Sequence, residues 1–255
     1  MSFSATVFGL IAGLLIGCTG VGAGSLMTPL LLTAFGLSLP VAVGTDLWFA
    51  ALTKMSGAIA HARQGHVDRR IVGLLLAGSL PAAAATTLLM RRGTLGEGGP
   101  LLSLALGVAL LLTAAVVALR GAWQPAAQAA IHRRLPAAAI PPLTIALGVA
   151  LGALVTLSSV GAGAIGATLL LLLHPALSSR RLVGTDIAHA VPLTLAAGIG
   201  HAMLGHVDWP LVAALLAGSI PGIWIGARLT RRLPERLTRT LLSAALTVAG
   251  LRIIA

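Results

Sequence analysis

Apolar residues fall into eight long blocks, separated by short segments that contain arginine, glycine or proline. Most blocks hold about 20 residues, which is enough for an α-helix to cross the roughly 30 Å hydrocarbon core of a membrane. The blocks span 5–35, 40–62, 70–90, 101–119, 140–173, 182–203, 209–230 and 238–255. This pattern predicts an all-α polytopic membrane protein.

The second half of the chain repeats the first. The motif Val-Gly-Thr-Asp at 43–46 returns at 183–186, and Gly-His-Val-Asp at 65–68 returns at 205–208. Both copies are displaced by 140 residues. A duplicated hydrophobic unit is typical of membrane transporters that bind their ligand between two halves.

Blocks 5–35 and 140–173 are too long for one ordinary span, and glycine and hydroxyl residues interrupt both. The motif Val-Gly-Ala-Gly lies inside each block, at 21–24 and at 160–163. Because each glycine costs about 1 kcal/mol in a helix interior, a continuous helix is disfavoured there. We expect two shorter helical arms that meet at each break, either as half-depth hairpins or as short full crossings.

The arginines in the loops distinguish one crossing from two for these long blocks. If each block crosses once, the two sides of the membrane receive 9 and 7 arginines; if each enters and returns, they receive 13 and 3. Arginine and lysine concentrate in cytoplasmic loops, so the second arrangement is favoured. It inverts the repeats relative to each other and places both termini outside. The repeats are then 1–121 and 140–255, joined by a cytoplasmic loop at 122–139.

Composition excludes several classes of protein. The chain is 57% hydrophobic and 9% charged, with a mean hydropathy of +1.00, and a water-soluble domain could not hide so much apolar surface. The net charge of +11 comes from loop arginines, so the expected partner is the lipid bilayer and not nucleic acid. The residues show no ATP-binding motif, no clustered metal ligands and no sign of a cofactor.

The two glycine breaks form the first candidate ligand site. Unwound backbone inside a membrane must be buried or must line a polar cavity. A helix that starts there presents free N–H groups and a positive dipole end to an anion. Close helix packing through small residues is the alternative interpretation. The candidate substrate-binding residues at the breaks are Thr19, Gly22, Gly24, Ser25, Ser158, Ser159, Gly161 and Gly163.

Lys54 is the only lysine and lies near the middle of block 40–62. A buried ammonium is costly in a membrane, so it should face a cavity or a partner. Asp46 is eight residues away, about 12 Å along a helix, which is too far for a direct ion pair. We expect either an anionic substrate as the partner of Lys54, or a salt bridge to another helix or snorkelling to the interface. Its repeat counterpart, Thr194, joins the substrate-binding candidates.

Asp46 and Asp186 follow Gly-Thr in the repeated motif, and two interpretations stay open for them. Each could cap the start of a helix, or the pair could carry protons that are coupled to transport. His189 could share a proton with Asp186 or could be a hydrogen-bonded core histidine. Together with His61 and its copy His201, these residues are the proton-coupling candidates.

Asp68 and Asp208 end the two Gly-His-Val-Asp turns, just before apolar blocks. Asp208 is followed by Trp209-Pro210, and proline suits the first turn of a helix. We therefore expect both aspartates to cap the helices that follow.

Several weak motifs occur in a fixed order and in duplicate. They are the glycine-rich first segment, Val-Gly-Thr at 43–45 and 183–185, the Ser-Gly-Ala…His…Gly…Val-Asp stretch at 56–68, and an arginine-flanked third span. In these motifs the whole chain resembles the TauE/SafE sulfite exporter family. The resemblance implies movement of a small anion, such as a sulfur oxyanion or an organosulfonate. In both copies, aspartate replaces the serine common after Gly-Thr, and histidine replaces the asparagine common in Gly-x-Val-Asp.

These features together predict a secondary transporter of a small anion in the bacterial inner membrane, with alternating access between two inverted repeats. An anion channel whose filter is formed by the glycine breaks is one alternative. An intramembrane enzyme that uses Asp46 and Asp186 as acid and base is a weaker alternative, and we expect no enzymatic activity. The sequence leaves open the anion, the direction of transport, the coupling ion and whether the chain forms a homodimer.

Overall fold

The computed structural model describes residues 2–19, 24–93, 103–104, 106–118, 136–161, 163–229 and 235–254. Within these ranges the chain is helical and contains no β-strand, as the apolar blocks predict. The helices are α1 (Ser2–Thr19), α2 (Gly24–Ala34), α3 (Leu39–Arg63), α4 (Arg69–Arg91), α5 (Leu106–Ala118), α6 (Ile140–Ser158), α7 (Ala164–Leu173), α8 (Ser179–Met203), α9 (Trp209–Leu229) and α10 (Glu235–Ile254). Helices α4, α6, α8 and α9 are each long and apolar enough to cross a membrane.

Both long apolar blocks are divided into two helices, as predicted. The first block forms α1 and α2, and the second forms α6 and α7. In the second break, Ser159 and Gly161 have left-handed φ angles of 56° and 116°. Few residues other than glycine adopt such angles readily, so Gly161 lets the backbone leave the helix at this point. Of the predicted interrepeat loop 122–139, residues 122–135 lie outside the described part of the chain.

Helices α3 and α8 occupy equivalent positions in the two repeats and run antiparallel. Gly44, near the start of α3, lies against the carbonyl of His206, just beyond the end of α8. Reciprocally, Gly184, near the start of α8, lies against the carbonyl of His66, just beyond the end of α3. A Cβ at either glycine would overlap the facing carbonyl, so glycine is what allows the two helices to approach these turns.

Two hydrogen bonds join the halves at these turns. The backbone N–H of Asp208 donates to Thr45 Oγ1 at 3.1 Å, and that of Asp68 donates to Thr185 Oγ1 at 3.0 Å. We call these Thr45–Asp208 and Thr185–Asp68 pairs the two turn contacts. At the second of them, the side chains of Arg181 and Asp68 also form an ion pair at 3.3 Å. Each repeat therefore holds the turn of the other.

The predicted capping role of Asp68 and Asp208 is confirmed. Asp68 Oδ1 accepts hydrogen bonds from the backbone N–H groups of Arg70 and Ile71 at 3.1 and 3.2 Å. Asp208 Oδ1 accepts one from Leu211 N–H at 3.0 Å. These bonds satisfy N–H groups that have no partner within the first turn of α4 and α9.

Glycines also permit close parallel packing of helices from opposite halves. On α1, Gly9 and Gly13 lie against the backbone of Leu215 and Ser219 on α9. On α6, Gly148 and Gly152 lie in the same way against Leu75 and Ser79 on α4. Small residues spaced by four let helix backbones approach closely in membranes. The first arm of each broken segment therefore packs on the other repeat.

Candidate functional site

Asp46 and Asp186 are buried in the interior of α3 and α8. Each is the eighth residue of its helix, and the N-cap positions belong to Ser38 and Ser178 instead. The exposed fraction is 0% for Asp46 and 8% for Asp186. The interpretation of the two aspartates as N-caps is therefore wrong, because both helices begin two turns earlier than the Gly-Thr-Asp motif indicated.

Asp46 lies where the two broken segments approach each other. Thr28 Oγ1, on α2 of the same repeat, donates to Asp46 Oδ2 at 2.5 Å. The hydroxyl of Ser159, in the break of the other repeat, lies beside the same carboxylate. Among the described residues, neither Asp46 Oδ1 nor Ser159 Oγ has a hydrogen-bond partner. One carboxylate oxygen and one hydroxyl thus face each other in a buried position.

Asp186 and Lys54 bring opposite charges together between the two repeats. Asp186 lies against α7 at Gly166, where a Cβ would come within 2.9 Å of Asp186 Oδ1. The charge of Lys54 interacts most strongly with Asp186 and also interacts with Asp46. Of the two interpretations of Lys54, a partner on another helix is therefore present. An anionic substrate would join this group of charges and would not be the sole partner of Lys54.

His189 adds a fourth polar side chain and connects the group to α4. Its Nε2 lies 2.9 Å from Ser79 Oγ, and its ring is fully buried. This contact confirms the interpretation of His189 as a hydrogen-bonded core histidine. The charge of Lys54 also reaches the His189 ring. We call Asp46, Lys54, Asp186 and His189 the central cluster.

Hydrogen bonds of the Ser158 side chain stabilise the backbone at the second glycine break. The Ser158 hydroxyl donates to the carbonyl four residues earlier at 2.7 Å and accepts from Val160 N–H at 3.2 Å. Gly161 and Gly163 both have positive φ angles. Ser158 therefore stabilises the end of α6, whereas the side chain of Ser159 lies beside Asp46.

The first glycine break can be described only in part. Thr19 is the last residue of α1, and Gly24 and Ser25 begin α2. Gly22 and the side chains of Thr19 and Ser25 lie outside the described part of the chain. Their assignment as substrate-binding residues stays a prediction.

Thr194 and two of the histidine candidates are engaged within the protein. Thr194 Oγ1 donates to two carbonyls of its own helix, at 2.8 and 3.1 Å. His201 Nε2 donates to the carbonyl of Thr156 at 2.9 Å, and the His201 ring lies 5.7 Å from the ring of His206. His61 repeats this ring pairing with the histidine of its own turn at 5.9 Å. His61 and His201 therefore belong to the neighbourhood of the two turn contacts.

Three contributors to this region were not identified from the sequence: Thr28, Ser79 and Gly166. Thr28 and Ser79 are two of several hydroxyl residues within their apolar blocks, and such residues usually bond to their own helix. Only the tertiary packing brings them to Asp46 and His189. Thr45 and Thr185 were easier to notice from the sequence, because both occur in the duplicated Gly-Thr-Asp motif.

Comparison with known proteins identifies the family of the chain. The family described as "Sulfite exporter TauE/SafE" matches residues 5–253. "Probable membrane transporter protein YjnA" of Bacillus subtilis (strain 168) is 37% identical over 256 residues and is covered over 100% of both chains. "Probable membrane transporter protein YdhB" of the same organism is 27% identical over 245 residues, 96% of each chain. No solved structure gives a significant match. The chain is a multi-pass membrane transporter and belongs to the sulfite exporter TauE/SafE family.

Proposed function

We propose that this protein is a secondary transporter of a small anion, with sulfur oxyanions and organosulfonates as the substrate class. Transport proceeds by alternating access between two inverted repeats in the bacterial inner membrane. The observation that carries the proposal is the position of Lys54. Its charge lies between the two halves, in the cluster that the break at Ser159 adjoins. Transporters built from repeats bind their substrates at such an interface, next to discontinuous helices.

Helix directions support the inverted arrangement. The equivalent helices α3 and α8 are antiparallel. Helix α1 runs parallel to α9, and α9 begins beside the start of α3, where the rings of Trp48 and Trp209 are 5.0 Å apart. Helices α1 and α3 then point the same way, so the chain returns through α2. This agrees with the arginine distribution of 13 against 3, from which we infer that both termini lie outside.

The proposed anion site combines the positive charge of Lys54 with the backbone of the glycine break. Lys54 supplies the positive charge, and a small oxyanion can approach it from the side of the glycine break, where glycines leave room for close contact with the backbone. The neighbouring carboxylates favour an anion only when their own charge is balanced. Substrate binding is therefore coupled to the charge state of the central cluster.

In this proposal, the two turn contacts close the two sides of the transporter in turn. They lie at opposite ends of the antiparallel α3–α8 pair, and each joins one half to the other. Separation of one contact opens the path to the central cluster from one side, while the other contact keeps the opposite side closed. Rocking of the repeats about α3 and α8 exchanges these two states.

Thermal unfolding of the purified protein with a panel of anions tests the proposal. The panel is sulfite, sulfate, thiosulfate, sulfoacetate, taurine, acetate, phosphate and chloride. An anion at a hundred times its dissociation constant should add about 2.7 kcal/mol to the free energy of unfolding. The shift should be confined to sulfur oxyanions or sulfonates and lost in Lys54→Ala.

Arg252→Ala is the matched control, because it removes one positive charge at an exposed position in α10. It should keep the response to the anion. The absence of a shift with every anion, or an equal shift in Lys54→Ala, contradicts the proposed function.

A further inference from the structure

The charges of the central cluster do not balance. Asp46 and Asp186 contribute two carboxylates, and Lys54 contributes one ammonium. The His189 ring is engaged with Ser79. With all three charged groups ionised, one negative charge is left in a buried part of a membrane protein, where an unbalanced charge is costly.

The repeat relation identifies Asp46 as the carboxylate with the weaker cationic partner. Lys54 interacts most strongly with Asp186, which belongs to the other repeat, and less strongly with Asp46. The position equivalent to Lys54 in the second repeat is Thr194, which carries no charge. The two carboxylates therefore share the single ammonium of Lys54.

The atoms around Asp46 are suited to a cation. Asp46 Oδ1 and Ser159 Oγ are buried, at 0% and 4% exposure of their residues, and have no hydrogen-bond partner among the described residues. Ser159 directly follows α6, and Asp46, on α3, lies beside it. At this end of α6 the last carbonyls lack partners within the helix and the helix dipole is negative, although the carbonyl of Thr156 accepts from His201. Carboxylate, hydroxyl and carbonyl oxygens at an unwound helix are ligands of coupling cations in membrane transporters.

The sequence shows how far the two hydroxyls at Asp46 are repeated. The displacement of 139 residues that relates the glycine motifs pairs Ser159 with Gly20, which carries no hydroxyl. The displacement of 140 residues that relates the Val-Gly-Thr-Asp motifs pairs Thr28 with Thr168, whose hydroxyl donates to its own helix at 2.7 Å. The duplication alone therefore does not account for the two hydroxyls at Asp46.

We propose that a monovalent cation, Na⁺, binds between Asp46 Oδ1 and Ser159 Oγ at the end of α6 and is the coupling ion of this transporter. The role as coupling ion rests on the proposed function. One Na⁺ balances the charge of the cluster and so permits an anion to bind at Lys54. A proton on Asp46 Oδ1 would also neutralise the carboxylate and would donate to Ser159 Oγ, so titration of Na⁺ at constant pH is what separates the two ions.

Thermal unfolding of the full-length protein in detergent tests the site without any substrate. Na⁺ is titrated against N-methyl-D-glucamine at constant pH, chloride and ionic strength. The melting temperature of the wild type should rise and saturate with Na⁺. Asp46→Asn and Ser159→Ala should each weaken the apparent affinity for Na⁺ at least about tenfold, the expected loss for one ligand to a charged group.

Two control variants separate the site from general effects. Asp208→Asn removes one carboxylate but keeps a side chain that caps a helix well. Thr168→Val removes a buried hydroxyl that donates to its own helix at 2.7 Å. Both should respond to Na⁺ as the wild type does. A wild type that responds to pH and not to Na⁺, or an Asp46→Asn variant with unchanged Na⁺ affinity, overturns the proposal.

Thr194→Lys provides a test in the opposite direction. In the repeat relation, residue 194 corresponds to Lys54, and Asp46 corresponds to Asp186. A lysine at 194 should therefore supply Asp46 with an ammonium, and the variant should no longer respond to Na⁺. A Na⁺ response equal to that of the wild type contradicts the charge argument.

The anion titration distinguishes failure of this inference from failure of the proposed function. Linkage requires Na⁺ and the transported anion to strengthen each other's binding by the same factor. A Na⁺ response without any anion response leaves the cation site in place and removes the proposed function. An anion response that is independent of Na⁺ removes the coupling role and leaves the transporter.

Discussion

The two turn contacts offer the sharpest test of how the halves are held together. Thr45→Val and Thr185→Val keep the shape of the side chain but remove the oxygen that accepts from Asp208 and Asp68 N–H. Both threonines are fully buried, so each backbone N–H loses its acceptor in a place that water does not reach readily.

A buried donor that loses its partner costs about 1–3 kcal/mol. The two contacts lie at opposite ends of the α3–α8 pair and share no residue, so their effects should add within about 0.5 kcal/mol. The double variant should therefore lose about 2–6 kcal/mol. Thr113→Val is the control, because Thr113 is also buried but donates only to a carbonyl of its own helix at 2.7 Å.

The free energy of unfolding, measured in mixed detergent micelles, checks this expectation. Thr113→Val should cost at most about 1 kcal/mol, because the carbonyl that loses Thr113 Oγ1 keeps its bond within the helix. Thr45→Ser and Thr185→Ser should retain most of the stability, since serine keeps the acceptor. If the valine variants at Thr45 and Thr185 are as stable as Thr113→Val, the turn contacts do not hold the halves together and the reasoning fails.

Other predictions concern packing and helix capping, with the same unfolding measurement. Gly148→Ala forces a methyl against the carbonyl of Leu75 and should lower the free energy of unfolding by about 1–3 kcal/mol. In the control Gly73→Ala, the added methyl meets nothing within 4 Å, and the free energy of unfolding should rise by up to about 1 kcal/mol. Equal effects of the two substitutions would contradict close packing of α4 on α6. Asp68→Ala should cost about 1 kcal/mol through loss of the cap. Asp68→Asn should cost clearly less, because it keeps the cap and loses only an exposed ion pair; a cost as large as that of Asp68→Ala would show that the ion pair matters more than the cap.

Much of the fold could be predicted because it depends on local pattern. The apolar blocks gave helices, and the glycine motif at 160–163 marked the break between α6 and α7, since both signals act over a few residues. The capping aspartates of α4 and α9 were predicted for the same reason. The glycines that join α1 to α9 were not predicted, because small residues are frequent in every block and only the packing selects some of them.

The candidate site was harder to predict because its contacts join distant parts of the chain. The apolar block placed the start of α3 at residue 40, close to the observed Leu39, but Gly-Thr-Asp resembles a capping sequence, so a helix-end position was kept as one interpretation of Asp46. A salt bridge from Lys54 to another helix was one of the alternatives, but the sequence did not identify Asp186 on α8 as the partner. An antiparallel pairing of the two repeats, combined with the duplicated motif, would have brought these residues together.

Anion flux into proteoliposomes tests the central claim of this account most directly. The measurement compares labelled sulfite and sulfoacetate uptake by the wild type, Lys54→Ala and the control Arg252→Ala, all reconstituted to equal amounts of folded protein. The account predicts uptake that saturates with concentration, is inhibited by the unlabelled anion, and falls at least about tenfold in Lys54→Ala but not in Arg252→Ala. Uptake that rises linearly without saturation, or that is equal in Lys54→Ala and the wild type, would contradict a carrier with its substrate site at Lys54.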